Sequence, residues 1–160
     1  MKKVLLILAC GIATQLSYAQ ATPKWADKAK KAVFSIVTYD KDNKIKNTGN
    51  GFYINENGTA LSDYTLFEGA ERAVIINADS KELPVLRILG ANSMYDIVKF
   101  NTEADKKTIA LKSASQPASV GETVYLLPYS TQKAATCQTG TVTKVDTIGA
   151  KAYYYTLAMT

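Results

Sequence analysis

Gly49-Asn50-Gly51-Phe52-Tyr53-Ile54-Asn55-Glu56-Asn57-Gly58-Thr59-Ala60-Leu61-Ser62-Asp63-Tyr64-Thr65-Leu66-Phe67-Glu68-Gly69-Ala70 is the stretch on which the fold turns. It reads as a hairpin followed by a short loop. Phe52 and Ile54 alternate with Tyr53 and Asn55, the period of a half-buried strand. Asn57-Gly58 is a two-residue hairpin signal, because both central positions of a type I′ turn need positive φ. Thr59 to Ser62 is the returning strand. Gly49 and Gly51 stand where a missing Cβ allows a bulge or a close backbone approach.

Working outward, Val33 to Tyr39 is a strand by its β-branched content, and Asp40 to Lys44 is its polar turn. Ile45 to Thr48 leads into the central hairpin. Arg72 to Asn77 carries the apolar run Val74-Ile75-Ile76, and Asp79-Ser80-Lys81 turns the chain. Leu83 to Leu89 follows, with Pro84 near its start, where a missing N–H is tolerated. Ile97 to Phe100 is a short strand, and residues 101–111 are polar and read as a linker. Thr123–Leu127, Thr136–Asp146 and Ala152–Ala158 are three further strands after a turn at Pro117–Gly121. Many short strands separated by turn signals predict an all-β barrel or sandwich. No internal repeat or low-complexity segment stands out.

The 160 residues suffice for a domain with a real core. Hydrophobic content of 47% with 21% charged residues excludes a disordered chain. Met1 to Ala19 reads as a secretory signal peptide. Lys2-Lys3 is its basic start, Val4 to Ala13 an apolar run too short to span a bilayer, and Ser17-Tyr18-Ala19 a small-residue cleavage site. Gln20 is then the first mature residue, and the protein is periplasmic or secreted. A lipoprotein anchor at Cys10 is the minor alternative. Losing Lys2 and Lys3 leaves 17 basic against 14 acidic residues, a net charge of +3 instead of +5. The lysines are scattered apart from Lys28, Lys30 and Lys31, so a solvated surface is expected and no nucleic-acid partner. Cys137 is then alone, with no disulfide partner, and reads as a small hydrophobe in a strand. Thr22 as N-cap with Pro23 at the first helical position predicts a short helix, with Trp25, Ala29 and Ala32 or Val33 as its apolar stripe.

The central stretch resembles the start of the trypsin-like serine protease domain in its bacterial HtrA/Deg form. That family reads Gly-Ser-Gly-Phe, an apolar strand, a turn ending in Gly, then Leu-Thr-Asn-x-His-Val. Gly49-Asn50-Gly51-Phe52 and Leu61-Ser62-Asp63-Tyr64-Thr65-Leu66 fall on these two parts. Met94-Tyr95-Asp96-Ile97-Val98-Lys99 resembles the family's Ser-Asp-Ile-Ala segment. Val120-Gly121-Glu122-Thr123-Val124-Tyr125 and Thr139-Gly140-Thr141-Val142 resemble the opening strands of its second barrel. The match runs over roughly residues 32–158. It implies a double β-barrel, with the catalytic histidine's position held by Thr65 and the catalytic aspartate's by Asp96. It also implies the following division: signal peptide 1–19, N-terminal helix 20–32, a complete first barrel over 33–110, and a partial second barrel over 111–160.

Acyl transfer by a serine protease needs a nucleophilic hydroxyl, a base titrating near the working pH, and an orienting carboxylate. The chain contains no histidine at all. A threonine hydroxyl at position 65 cannot take up a proton near neutral pH. No serine sits in the Gly-x-Ser-Gly-Gly context that builds the family's oxyanion hole. Asp96 is therefore expected to be satisfied by loop N–H groups. No metal-ligand cluster or Gly-rich phosphate loop is present in the sequence, so neither a metal nor a cofactor is expected. Tyr153-Tyr154-Tyr155 reads as core packing plus one exposed ring. The expectation is a proteolytically inactive pseudoprotease or fragment that binds extended peptides or proteins by β-augmentation or self-associates. The alternative is a serine endopeptidase domain whose nucleophile half lies in a longer parent protein.

Overall fold

The structure is a computed structural model and describes residues 23–104, 108–127, 137–148 and 152–159. Residues 1–19, where a signal peptide is expected, Cys10, Gln20, Thr22 and the side chains of Tyr153 and Tyr154 lie outside the described residues. One helical turn, α1 (Ala26–Lys30), precedes six strands: β1 (Val33–Tyr39), β2 (Ile45–Tyr53), β3 (Thr59–Ser62), β4 (Arg72–Ile76), β5 (Glu82–Asn92) and β6 (Ile97–Thr102). They close into an antiparallel barrel in the order β1-β2-β3-β6-β5-β4. A separate three-stranded sheet follows, β7 (Thr123–Leu126), β8 (Gln138–Ile148) and β9 (Ala152–Met159), in the order β7-β8-β9. The fold is thus all-β, with one complete barrel, part of a second and a short helix. Among the described residues no helix is long and apolar enough to cross a membrane.

The barrel closes because alternate side chains of its strands meet in one core. Phe34, Ile36, Tyr53, Ala60, Ile75, Leu83, Val98 and Phe100 are buried together. Phe34 is the hub, its ring edge-on to Tyr53 at 4.8 Å and to Phe100 at 6.2 Å. Tyr53 points into this core, whereas Phe52 and Ile54 are only half-buried. The glycine beside Phe52 sets this phase. A Cβ on Gly51 would lie 2.5 Å from the Phe34 ring and 2.8 Å from the Leu61 carbonyl. Gly51 thus serves a close backbone approach, and the β1–β2 register runs unbroken past it, from Val33↔Phe52 to Thr38↔Asn47.

The type I′ turn expected at Asn57-Gly58 does not form. Gly58 alone has positive φ (+80°), and Asn55 organises a longer loop. Its Oδ1 accepts the N–H groups of Asn57 and Thr59, both at 3.0 Å. The same device recurs twice. Asp40 Oδ1 accepts from Asp42 and Lys44, both at 2.9 Å, with Asn43 at φ +61°. Asn77 Oδ1 accepts from Asp79 at 3.0 Å and Lys81 at 2.9 Å, with Ser80 at φ +60°. A short side-chain acceptor that mimics a backbone turn, followed three residues later by a left-handed residue, closes each hairpin.

Two other sequence expectations shift. The helix takes Trp25 as its N-cap, without a side-chain cap bond, instead of Thr22. Pro23 begins the preceding turn, whose carbonyl accepts the Ala26 N–H at 2.9 Å. Ala26 is the helix's buried residue, while Trp25 is half-exposed and rests edge-on against Tyr125 at 5.2 Å. The polar segment after β6 is more than a linker. Ala110 packs on the barrel core, and the Leu111 N–H donates to the Tyr53 carbonyl at 2.9 Å. Backbone hydrogen bonding outweighs the segment's polarity because Tyr53, at the end of β2, presents its carbonyl there.

Candidate functional site

The positions that resemble the catalytic pair lie at one end of the barrel. β3 ends at Ser62, the chain passes through Asp63 in extended conformation, and Tyr64–Leu66 forms a single 3₁₀ turn. On the other side, the β5–β6 connection ends in Asp96, which adopts left-handed backbone at φ +51°. Aspartate tolerates this region better than most residues because its short polar side chain bonds locally. The Asp96 carbonyl accepts the Tyr64 N–H at 3.2 Å, which ties the two loops together.

Asp96 Oδ1 then takes two donors from one residue. The Thr65 N–H lies at 2.7 Å and the Thr65 hydroxyl at 2.5 Å. The structure thus brings together the two positions singled out in the sequence. The hydroxyl bond, followed by the backbone bond, holds the Asp96 carboxyl below the ordinary aspartate range. A carboxylate stabilised in its charged form is a poor proton acceptor, and the Thr65 proton is already committed to it. The pair is a clamp between two loops, without a base that titrates near neutrality.

Asp63 is the neighbour that sequence reasoning missed. Its carboxyl is pushed above the ordinary range, first by partial burial and then by the negative charge of Asp96. The available signal was its spacing, two residues before Thr65 and so on the same loop. The two acids titrate in opposite senses. Asp96, with its lowered folded value, supports the fold above the unfolded aspartate value near pH 4, and that support is lost as the pH falls through the folded value. Asp63, with its raised value, opposes the fold at neutral pH and stops doing so on protonation. In Asp96→Asn, carboxyl NMR titration is therefore expected to show the Asp63 midpoint moving down towards the ordinary value. An unmoved midpoint would mean that Asp96 exerts no field on Asp63.

Among the described residues no three His, Cys, Asp or Glu side chains converge in a metal-binding group. Cys137 is half-buried and lies just before β8, where a strand residue was expected. Tyr155 is partly exposed, and its hydroxyl oxygen accepts the Ala118 N–H at 3.2 Å.

No family model matches the chain, and no curated protein matches its sequence. Solved structures do match its fold. The serine endoprotease from Yersinia pestis aligns with a TM-score of 0.62 at 16% identity, over 77% of this chain and 46% of its own. The HtrA-type protease AlgW, solved with a tripeptide, aligns at 0.66 and 14% identity, over 80% and 42% respectively. The fold is that of the trypsin-like proteases. The chain spans less than half the length of either structure.

Proposed function

We propose that this chain is an exported, proteolytically silent version of the HtrA-type protease fold that acts by binding extended protein segments. The observation that carries the reading is the absence of any histidine, joined to the state of the residue in its place. Thr65 spends its hydroxyl proton on Asp96 and cannot serve as a general base. Export rests on the basic start, apolar run and Ser17-Tyr18-Ala19 of the leader. Mass spectrometry of the envelope fraction is expected to find Gln20 at the N-terminus, and a lipid-modified Cys10 would replace this reading with a membrane anchor.

The binding role rests on the second sheet. β7 and β9 are its outer strands among the described residues, and the sequence of β9, AYYYTLAM, has neither charge nor proline to discourage pairing. Casein serves as both candidate substrate and candidate ligand. The mature chain is expected to leave casein intact and to take no label from a fluorophosphonate serine probe above a boiled control. Unfolded casein is expected to slow amide exchange in β9. Probe labelling of any serine would overturn the catalytic half of the proposal, and unchanged exchange would overturn the binding half.

A further inference from the structure

β5 departs from a regular barrel strand in two ways. Its pairing with β6 slips twice, between Val85 and Arg87 and again between Ile88 and Gly90. Leu86 and Leu89 are the extra residues, so each lacks a partner in the ladder. Both are turned outward, with 60% and 39% of their surface exposed. The second departure is an open edge. β4 pairs with β5 only at Glu82, Leu83 and Pro84. From Val85 onward, β6 pairs with one side of β5, while on the other side the described residues give no ladder partner and Arg72 and Ala73 at the start of β4 only flank the gap.

A groove of about 220 Å³ runs beside that open stretch. Phe67, Val85, Leu86 and Ile88 give it an apolar wall. Arg72 and Arg87 also line it, with Glu71 as the one acid, so cations outnumber anions two to one. Arg72 is held in place, its guanidinium stacked 3.6 Å over the Tyr39 ring and donating twice to Asn43 Oδ1. Arg87 is exposed and has no ion pair among the described residues.

We propose that this groove binds an extended acidic peptide, which adds as a strand to the open edge of β5 from Val85 to Gly90. Alternate apolar side chains enter the trough along Phe67, Leu86 and Ile88, and the intervening carboxylates meet Arg72 and Arg87. The open backbone edge selects a peptide, since an acyl chain has no N–H or C=O to satisfy it. The two arginines select its charge. The surface is built from first-barrel residues alone, so it is independent of β7–β9.

The test uses the mature chain and two fluorescein-labelled peptides, one alternating leucine with aspartate and one alternating leucine with lysine. Fluorescence anisotropy is expected to detect the acidic peptide, and hydrogen exchange to show slower amides within 85–90. Arg87→Glu is expected to weaken the acidic peptide about tenfold and to bring up binding of the lysine peptide. That gain also shows the variant to be folded. Equal binding of both peptides by the unaltered chain, or protection confined to other strands, would overturn the proposal. So would tighter capture by anionic phospholipid vesicles, or pairing of two copies through 85–90 in sedimentation and exchange without peptide.

Discussion

Replacing Phe100 by alanine is expected to lower stability by about 3–5 kcal/mol, measured by urea unfolding of residues 20–160. Phe100 is fully buried in β6 and touches aromatic rings on two sides, Phe34 at 6.2 Å and Phe67 at 5.2 Å. Truncation removes the transfer energy of the ring and leaves a void, because the surrounding strands are fixed by a closed ladder and cannot move together freely. A domain of this size has only about 5–15 kcal/mol to lose, so the variant sits close to unfolding. Phe67 is only partly buried and sits on a loop, so Phe67→Ala is expected to lose less. A loss below about 1.5 kcal/mol for Phe100→Ala would mean that the barrel collapses around the gap.

The second large effect belongs to Gly58. Its φ of +80° alone makes alanine unfavourable by roughly 1–3 kcal/mol. A Cβ there would also stand 2.3 Å from the Thr102 carbonyl oxygen, which is backbone and cannot step aside. The Thr102 N–H donates to the Gly58 carbonyl at 3.0 Å, so relief of the clash pulls the end of β6 away from the hairpin. Gly121 is the matched control. Its φ is +88°, yet a Cβ there meets nothing within 4 Å. Gly58→Ala is therefore expected to destabilise clearly more than Gly121→Ala in parallel thermal melts. Equal losses would show that backbone conformation accounts for the whole cost.

The strands were legible in the sequence because β-branched runs and turn residues alternate regularly from Val33 to Phe100. The inward phase of β2 was not. Phe52, Tyr53 and Ile54 are all apolar enough to be buried, so alternation leaves the phase open, and only the contact of Gly51 with Phe34 settles it. The hairpin loops were placed correctly, but their chemistry was misjudged at Asn57-Gly58. That dipeptide suits a two-residue turn, yet Asn55 offers an acceptor two residues earlier and captures the loop. The link between Thr65 and Asp96 was legible only through resemblance, since their side chains are brought together across 31 positions by strand pairing that no local pattern encodes. The open edge of β5 was invisible for a related reason. A bulge is set by one residue more on a strand than on its partner, and a single strand's sequence carries no record of where its partner sits.

The strand order also divides the barrel into two meanders, β1-β2-β3 and β4-β5-β6, joined along two seams. Within each meander neighbours follow one another in the chain, and hairpins of this kind form in about 1–10 μs. The seams are different: Ser35 must find Ile76 in one, and Thr59 must find Asn101, 42 positions away, in the other. Phe34 belongs to the first meander and Phe100 to the second, so neither half can bury its large rings alone. Closing the two non-local seams is therefore expected to be slower than forming the hairpins, as when non-local pairing dominates. The loop between β3 and β4, which carries Thr65, is the stretch of chain that joins the two meanders.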